Sequence, residues 1–234
     1  MFNIKDKNIL ITGATSGIGK AAAIKLASMG ANIHFIARNK EKAIDLSEEI
    51  EKLSGKAPYS IIADLSSQNE IKRAAEEFKS LNIPLHVLLN NAGLINMERS
   101  ETVDGHEAVF ALNHLAYYSL TNLLLDNIKN GSPSRIVNVS SGAHAFVKGF
   151  NFDDVQALKS YKPFQVYGYS KLANILFTKK LASLLKNENI SVNCLHPGVV
   201  GTAFGQNNGM FQKILFFIIK PFIRSPEKGA ESSV

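Results

Sequence analysis

Apolar runs alternate with segments of helical periodicity along the whole chain. The apolar runs predict strands at residues 8–11, 32–37, 59–62, 87–89, 135–139 and 191–195. The periodic segments predict helices at 17–28, 40–53, 69–80, in a long stretch ending at 128, and at 164–187. Strands that are apolar almost throughout are buried on both faces, as in a parallel sheet, and the intervening helices supply right-handed crossovers. We therefore predict an α/β fold with a doubly wound parallel sheet, in a single domain over residues 1–234.

Composition supports this prediction and narrows the function. Of the 234 residues, 45% are hydrophobic and 20% are charged, which suits one domain with a sizeable core. The net charge of +6 comes from lysines spread along the chain, without zinc-finger spacing or a basic run interleaved with aromatic residues. We therefore expect neither a nucleic acid partner nor a bound metal.

The cysteine content and the apolar runs bear on location. The single Cys194 cannot form an internal disulfide, which is typical of a reducing compartment. Residues 1–7 lack the apolar core of a signal peptide, and the longest apolar run, 214–219, is too short to span a bilayer. These features predict a soluble, cytoplasmic protein.

A glycine-rich turn follows the first predicted strand and opens the first predicted helix. It reads Gly13, Ala14, Thr15, Ser16, Gly17, Ile18 and Gly19. Glycines let the backbone turn tightly and approach a pyrophosphate, whose charge meets the helix N-terminus. The spacing differs from both the Gly-x-Gly-x-x-Gly fingerprint and the lysine-bearing P-loop. A purely structural turn is the alternative, but the strand–turn–helix context favours a dinucleotide site.

The end of the second strand indicates which dinucleotide binds. An NAD site favours a carboxylate there for the ribose 2′-hydroxyl, and Ala37 offers none. Arg38 can pair with a 2′-phosphate through a charge-assisted fork, and Lys40 and Lys42 add positive charge. A solvated basic helix start is the alternative. The sequence predicts NADP(H) rather than NAD(H).

Tyr167 and Lys171 are candidate catalytic residues. They lie four residues apart in the last predicted helix and therefore share one of its faces. A cation about 4 Å from a phenolate contributes about 4 kcal/mol at an effective dielectric near 20. At about 1.4 kcal/mol per unit, this would move the tyrosine pKa towards neutrality. Such pairs are also common on helix surfaces. Tyr169 is two residues from Lys171, so it should face away and pack.

Further motifs follow the predicted strands in order. They are Asp64 and Leu65 after the third strand, Asn90, Asn91, Ala92 and Gly93 after the fourth, Asn113 in the next helix, Ser140 and Ser141 after the fifth, and Pro197, Gly198 and Thr202 after the sixth. With the glycine turn and the Tyr167–Lys171 pair, the ordered set resembles the short-chain dehydrogenase/reductase family over residues 7–234. The resemblance implies a Rossmann-type fold.

The resemblance also implies roles for these residues in cofactor binding. Asp64, with Leu65, would contact the adenine, and Asn90, with Ala92 and Gly93, would line the cofactor cleft. The Pro197–Gly198 backbone and Thr202 would hold the nicotinamide carboxamide.

The same resemblance implies the catalytic roles. Tyr167 would donate the proton, and Lys171 would lower its pKa and bind the nicotinamide ribose. Ser141 would polarise the carbonyl, and Asn113 would bend its helix and hold a water of the proton relay. Spacing does not decide between Ser140 and Ser141, but the family usually uses the second serine.

Several phrases resemble the retinol-dehydrogenase-like branch of the family, among them Ser140-Ser141-Gly-Ala-His144 and His196-Pro-Gly-Val-Val. The N-terminal anchor of many membrane-bound members has no counterpart in the sequence. Ser225, Pro226 and Glu227 predict a helix start, and the strand that follows this helix in the family is expected to be missing before Val234. Without that edge strand, the sequence leaves both a monomer and a homo-oligomer open.

Ten of the fourteen phenylalanines lie from Phe146 onward. Apolar residues beyond the strand ends suit a lipophilic substrate, although core or lid packing explains them equally well. Residues 203–224 are predicted to be a substrate lid, and 210–224 could instead contact a membrane surface. The sequence thus predicts an NADP(H)-dependent oxidoreductase for an apolar carbonyl or alcohol, retinoid-, steroid- or lipid-aldehyde-like. The alternative is a non-catalytic NADP(H) sensor or a membrane-peripheral protein.

Overall fold

Six parallel strands form the central sheet of the part of the chain that the computed structural model describes, residues 2–198, 225–231, 233 and 234. The strand order is β3-β2-β1-β4-β5-β6. The strands are β1 (Asn8–Thr12), β2 (Asn32–Ala37), β3 (Tyr59–Ile62), β4 (Val87–Asn90), β5 (Ser134–Val139) and β6 (Ile190–Leu195). Every predicted strand is confirmed to within one residue at either end.

Helices connect the strands and cover both faces of the sheet. They are α1 (Gly17–Ser28), α2 (Lys40–Ser54), α3 (Gln68–Ser80), α4 (Ala108–Phe110), α5 (Ala116–Leu123), α6 (Leu125–Asn130), α7 (Pro163–Leu184) and α8 (Pro226–Ala230). A π-helical turn, Ala111–Leu115, joins α4 to α5, and two 3-10 turns, Gly142–Phe146 and Phe152–Asp154, lie between β5 and α7.

Two helix predictions differ from the structure. The long helix expected before β5 is divided by the π-turn and again at Leu124, whose φ of −101° and ψ of 8° leave the helical region. Helix α7 ends at Leu184, three residues before the predicted end, because Leu185 has φ −97° and ψ 13°. The turn residues that follow are polar and exposed, so no buried face rewards continuation of the helix.

Alternate side chains of each strand enter separate cores. On one face, α3, α5, α6 and α7 bury Leu10, Ile36, Ile61, Leu88 and Ile136. On the other face, α1, α2 and α8 bury Ile9, Ile11, Ile33, Phe35 and Leu89. The predicted doubly wound fold is confirmed, because both faces of the parallel sheet are covered by helices.

β1 and β4 are parallel neighbours at the centre of the sheet. From β1 the chain adds β2 and β3 on one side, and then crosses to add β4, β5 and β6 on the other. Ligands of open α/β sheets bind in the crevice outside the carboxyl ends of strands at such a switch point. The segments leaving β1, β4 and β5 at this edge contain the glycine turn, Gly93 and Ser141. The fold therefore gathers motifs from distant parts of the sequence at one edge.

Some expectations concern residues at the C-terminal end of the chain. Helix α8 begins as predicted, with the Ser225 hydroxyl accepting a hydrogen bond from Lys228 N at 3.4 Å, and it packs against α1. Thr202 and the segment 203–224 lie outside the described residues. Within the described ranges, no helix is both long and apolar enough to cross a bilayer. The same residues contain no cluster of three or more His, Cys, Asp or Glu side chains that could hold a metal ion.

Candidate active site

The glycine turn approaches the end of β4 too closely for side chains. Gly13 has a φ of +68°, and a Cβ there would lie 2.8 Å from the Cα of Ala92. A Cβ on Gly19 would collide with the main chain of Gly13 and with the Asn91 amide. Glycine is therefore required at both positions by contact, and at Gly13 also by a left-handed backbone.

Two polar residues hold the glycine turn against β4. The hydroxyl of Thr12 accepts hydrogen bonds from Asn91 N and Ala92 N, both at 2.9 Å. The amide of Asn91 donates back to Thr12 O at 3.0 Å and to Gly13 O at 3.3 Å. The sequence predicted no role for either residue, because these bonds join positions almost 80 residues apart and no local sequence pattern indicates such a pair.

The N-terminus of α1 faces the space above this turn. Ser16 occupies the N-cap in extended conformation, and within the described part of the chain its side chain makes no capping bond. Thr15, Gly17 and Ile18 are only partly buried beside it. The first N–H groups of α1 therefore remain for an anionic ligand, as the sequence predicts for a pyrophosphate.

Arg38 and Asp64 follow β2 and β3 at the same edge of the sheet. The Arg38 side chain is 72% exposed, and its Nη1 lies 3.9 Å from Asp64 Oδ2. The other oxygen of Asp64 accepts hydrogen bonds from Ser66 N at 2.9 Å and Ser66 Oγ at 2.8 Å. The Leu65 side chain is buried in the core, so only its main chain can meet a cofactor. Arg38 is held by a weak exposed pair and is free to turn towards an anion.

Asn90 departs from its expected position. Its side chain is fully buried and donates hydrogen bonds to Asn138 Oδ1 at 2.9 Å and Thr121 Oγ1 at 3.0 Å. This side chain therefore does not face the crevice, and the predicted place of Asn90 at the cofactor cleft would fall to its main chain. Its amide instead joins β4 to β5 and α5 beneath the site, because the last residue of β4 points to the helical layer rather than to the crevice.

Tyr167, Ser141 and Lys171 meet beside the end of β5. The hydroxyl of Ser141 lies within interaction range of the Tyr167 phenol and lowers its pKa. The Lys171 ammonium lies 5.6 Å from the centre of the Tyr167 ring and donates a hydrogen bond to Val139 O at 3.0 Å. The structure thus brings together the three groups that the resemblance implied.

The neighbouring serines have different surroundings. Ser140 is buried, and its hydroxyl donates to Lys171 O at 2.8 Å, which ties β5 to α7. Ser141 is the N-cap of the first 3-10 turn, where its hydroxyl accepts from Ala143 N at 3.2 Å. Because only Ser141 reaches the Tyr167 phenol, the geometry favours the second serine.

The expected lowering of the Tyr167 pKa is not found. Burial raises the pKa of Tyr167 to about 12, and the Ser141 hydrogen bond opposes this shift only partly. Burial also lowers the pKa of Lys171 to about 8. The ammonium is directed to the Val139 carbonyl rather than to the phenol oxygen, so desolvation outweighs the attraction assumed from spacing.

Asn113 lies in the π-turn, as the expected irregularity in its helix. Its side chain is fully buried, accepts from Leu94 N at 2.8 Å and donates to Leu94 O at 2.9 Å and Ser170 Oγ at 3.0 Å. A Cβ on Gly93 would lie 3.1 Å from Asn113 Oδ1 and 3.5 Å from Lys171 Nζ. Such single π-turns are frequent at functional sites.

The segment after β6 completes the described part of the site. Pro197 and Gly198 follow this strand, and Gly198 has a φ of +84°. His196 Nδ1 accepts a hydrogen bond from Gly142 N at 3.1 Å, which joins this segment to the turn after β5. The expected third member of this group, Thr202, lies outside the described residues.

The aromatic residues between β5 and Tyr167 divide into two groups. Phe150 packs against Tyr169 with ring centres 5.7 Å apart, which confirms that Tyr169 packs away from the catalytic pair. Phe146 and Phe152 are each 79% exposed and Phe164 is 58% exposed, so core packing does not account for these three.

Known proteins share this fold and these motifs. The family model for short chain dehydrogenases matches residues 7–212. Human retinol dehydrogenase 11 is 38% identical over 229 residues, which cover 97% of this chain and 71% of that protein. Human polyprenol dehydrogenase is 37% identical over 241 residues, covering 98% of this chain and 72% of that protein.

Solved structures agree with the sequence relatives. The Pseudomonas aeruginosa RhlG/NADP active-site complex is 27% identical, with a TM-score of 0.72 over 88% of this chain and 79% of that one. A short-chain dehydrogenase from Sphingobium yanoikuyae, in complex with NADPH, has the same fold, with 24% identity and a TM-score of 0.79 over 97% of this chain and 82% of that one. With these motifs at one edge of a doubly wound sheet, the chain belongs to the short-chain dehydrogenase family, in its retinol-dehydrogenase-like branch.

Proposed function

We propose that the protein is an NADP(H)-dependent oxidoreductase that interconverts a carbonyl and an alcohol on an apolar substrate of retinoid, steroid or lipid-aldehyde type. The observation that carries the proposal is the meeting of the Tyr167 phenol and the Ser141 hydroxyl beside the buried ammonium of Lys171. Relatives named retinol dehydrogenase and polyprenol dehydrogenase support this chemistry and this substrate class.

The residues present fit a nicotinamide dinucleotide. Gly13 and Gly19 leave a cradle that Cβ atoms would fill, and the N-terminus of α1 supplies N–H donors for a pyrophosphate. Arg38 is the exposed cation at the end of β2, where a 2′-phosphate of NADP would be recognised. Bound there, the nicotinamide supplies or accepts the hydride.

The side chains of the site would manage the proton. The Tyr167 phenol remains protonated at neutral pH because its pKa is about 12, which is the form needed to donate a proton to a carbonyl oxygen during reduction. Ser141 would give the same oxygen a second hydrogen bond and hold the carbonyl next to the phenol. Lys171 would stabilise the phenolate left after transfer, and its closeness to the ring supports this role.

The segment between Ser141 and Tyr167 supports an apolar substrate. Phe146, Phe152 and Phe164 expose apolar surface in the segment that leads from Ser141 to Tyr167. Exposed aromatic groups near a catalytic pair are typical of sites that bind lipophilic ligands.

Cofactor choice is tested with Arg38→Ala. We expect calorimetry to show NADPH binding more tightly than NADH in the unmodified protein. The substitution should weaken NADPH about ten- to a hundredfold, since a charge-assisted hydrogen bond contributes about 1.5–3 kcal/mol, and leave NADH nearly unchanged. Lys52→Ala, in the last turn of α2, removes an exposed charge away from the cleft and serves as the control. Equal affinities for both cofactors in the unmodified protein would contradict the assignment.

The reaction is tested with a panel of retinal, steroid ketones and medium-chain aldehydes, followed by NADPH absorbance. Tyr167→Phe removes only the transferable proton, so turnover should be abolished while NADPH affinity is largely retained. Tyr169→Phe is the matched control and should remain active. If the Tyr169 variant were inactive and the Tyr167 variant active, the proton donor would be misassigned. A non-catalytic sensor would bind NADPH without reducing any member of the panel.

A further inference from the structure

Helix α7 carries a buried asparagine that the proposed reaction does not use. Asn174 is fully buried, three residues after Lys171 and four after Ser170. Residues at these spacings share the helix face that contains Tyr167. A buried amide requires partners for its donors and its acceptor, so its contacts indicate what it holds.

The orientation of the Asn174 amide follows from its neighbours. Its Nδ2 lies 2.9 Å from Asn113 O and 3.4 Å from Val139 O, and both carbonyls can only accept. The Oδ1 atom therefore faces His114 Nδ1, at 3.0 Å. Since Oδ1 can only accept, His114 must carry a proton on Nδ1, which fixes its tautomer.

Both carbonyls bonded by Asn174 belong to the catalytic cluster. Asn113 O lies in the π-turn. The Asn113 side chain is bonded to Ser170, which lies on the same face of α7 as Asn174. Val139 O is also the acceptor of the Lys171 ammonium, at 3.0 Å. One amide thus restrains the turn that carries Asn113 and the atom against which Lys171 rests.

His114 is itself held in place. Its ring packs against Phe110, with centres 5.1 Å apart, and against Phe177 at 6.2 Å. Burial lowers the pKa of His114, so the neutral ring is the form that donates to Asn174 near pH 7. The aromatic packing and the fixed tautomer together leave the Asn174 amide one arrangement.

We infer that Asn174, oriented by His114, is a positioning residue that sets Asn113 and Lys171 relative to Tyr167. The inference rests on the proposed oxidoreductase function. In this role Asn174 and His114 align the groups that transfer the proton, and neither residue contacts the substrate or the cofactor.

The test compares four full-length variants with the unmodified protein. Asn174→Leu replaces the amide with an apolar group of the same heavy-atom branching, and His114→Phe removes the donor that orients it. His114→Asn retains a donor where Nδ1 lies. Thr178→Val is the matched control, because Thr178 is also buried, one turn further on. Its hydroxyl donates to Asn174 O at 2.7 Å and accepts from Asn138 Nδ2 at 2.9 Å, and neither bond involves Asn113 or Val139.

We expect kcat to fall about ten- to a hundredfold in Asn174→Leu and His114→Phe, with KM for NADPH and substrate changed less than threefold. His114→Asn should recover most of the loss. Thr178→Val should lower the urea midpoint about as much as Asn174→Leu but retain kcat. Equal kcat in Asn174→Leu and Thr178→Val, or no recovery in His114→Asn, would overturn the inference.

A second readout does not depend on turnover. The Lys171 side chain is titrated by 13C NMR of lysine Cε in the unmodified protein, Asn174→Leu and Thr178→Val. Loosening of its anchor should let the ammonium reach water and raise its pKa from about 8 towards the ordinary 10.5 in Asn174→Leu alone. If the unmodified protein reduced no carbonyl, the proposed function would fail, while this titration would still decide the role of Asn174. An unchanged pKa of Lys171 in Asn174→Leu would overturn the positioning role of Asn174.

Discussion

The buried side chains of the catalytic cluster have pKa values set by desolvation more than by each other. A phenol with a pKa of about 12 holds its proton throughout the neutral range, and a lysine with a pKa of about 8 is mostly charged at pH 7. Reduction begins with the protonated phenol, whereas alcohol oxidation needs the phenolate. At neutral pH the phenol is therefore in the form that the proposed reduction requires.

Ser140 and Ser141 offer a matched pair for separating catalysis from stability. Ser141→Ala should lower kcat about a hundredfold or more, because it removes the hydroxyl that meets the Tyr167 phenol. Loss of its cap on Ala143 N should reduce the free energy of unfolding by about 0.5–2 kcal/mol. Ser140→Ala removes a buried bond to Lys171 O and should reduce the free energy of unfolding by about 1 kcal/mol. Urea unfolding and NADPH-linked kinetics measure both effects. The assignment would be reversed if Ser140→Ala caused the larger loss of kcat.

Two local irregularities place these side chains. The glycine turn brings the start of α1 against β4, and the π-turn directs Asn113 towards Leu94 and Ser170. Neither feature belongs to a regular helix or strand, and each positions groups from neighbouring strands at the crevice. The regular helices and strands form a rigid framework, and these two turns orient the functional groups on it.

The close approach at the glycine turn is tested with Gly13→Ala and Gly55→Ala. The φ values are similar, +68° and +71°, so both alanines carry a left-handed strain of about 1–2 kcal/mol. Only Gly13 faces a main-chain atom within 3 Å, since a Cβ on Gly55 meets nothing within 4 Å. Gly13→Ala should therefore lose further stability and bind NADPH at least tenfold more weakly, as measured by calorimetry, whereas Gly55→Ala should bind it normally. Similar affinities in the two variants would show that the turn does not cradle the cofactor.

The whole sheet depends on burial of both faces, and a histidine is buried within it. His34, in β2, is 9% exposed and packs against Phe78 with ring centres 5.5 Å apart. Neither ring nitrogen has a hydrogen-bond partner among the described residues. Burial lowers the pKa of His34 to about 4 from 6.5, because a charged imidazole would be desolvated without compensation.

This burial predicts how stability depends on pH. Between pH 4 and 6.5 the unfolded state binds more protons at His34 than the folded state does. The free energy of unfolding should therefore fall as the pH decreases through this window, by up to about 3 kcal/mol, and the contribution should be complete above pH 6.5. His34→Leu should flatten the dependence in urea unfolding at pH 4.5, 5.5, 6.5 and 7.5. The same slope in both proteins would assign the acid sensitivity to other groups, such as His86 and His114, whose pKa values burial also lowers.

Prediction from the sequence worked where the cause is local. The strand Asn32–Ala37 and the helix Gly17–Ser28 have the predicted bounds, because apolar runs, glycine and helical periodicity are properties of neighbouring residues. Periodicity did not predict the division before β5, and the bend at Asn113 was implied only by the family resemblance. The π-turn contains Asn113, which is bonded to Leu94 and Ser170, 19 and 57 residues away. The hydrophobic periodicity of a segment does not indicate hydrogen-bond partners that lie so far away in the sequence.

The sequence by itself determined the α/β fold, the family and the set of chemical groups at the site, because strand–helix alternation and the ordered motifs are written along the chain. Only the tertiary structure decided what each group does there. It turned Asn90 inward, directed Ser141 rather than Ser140 to Tyr167, and raised the pKa of Tyr167 where spacing had predicted a fall. It also joined Asn174 to His114 and to the π-turn across about 60 residues. Hydrogen bonding and desolvation depend on which surfaces meet after folding, and neither is fixed by distance along the chain.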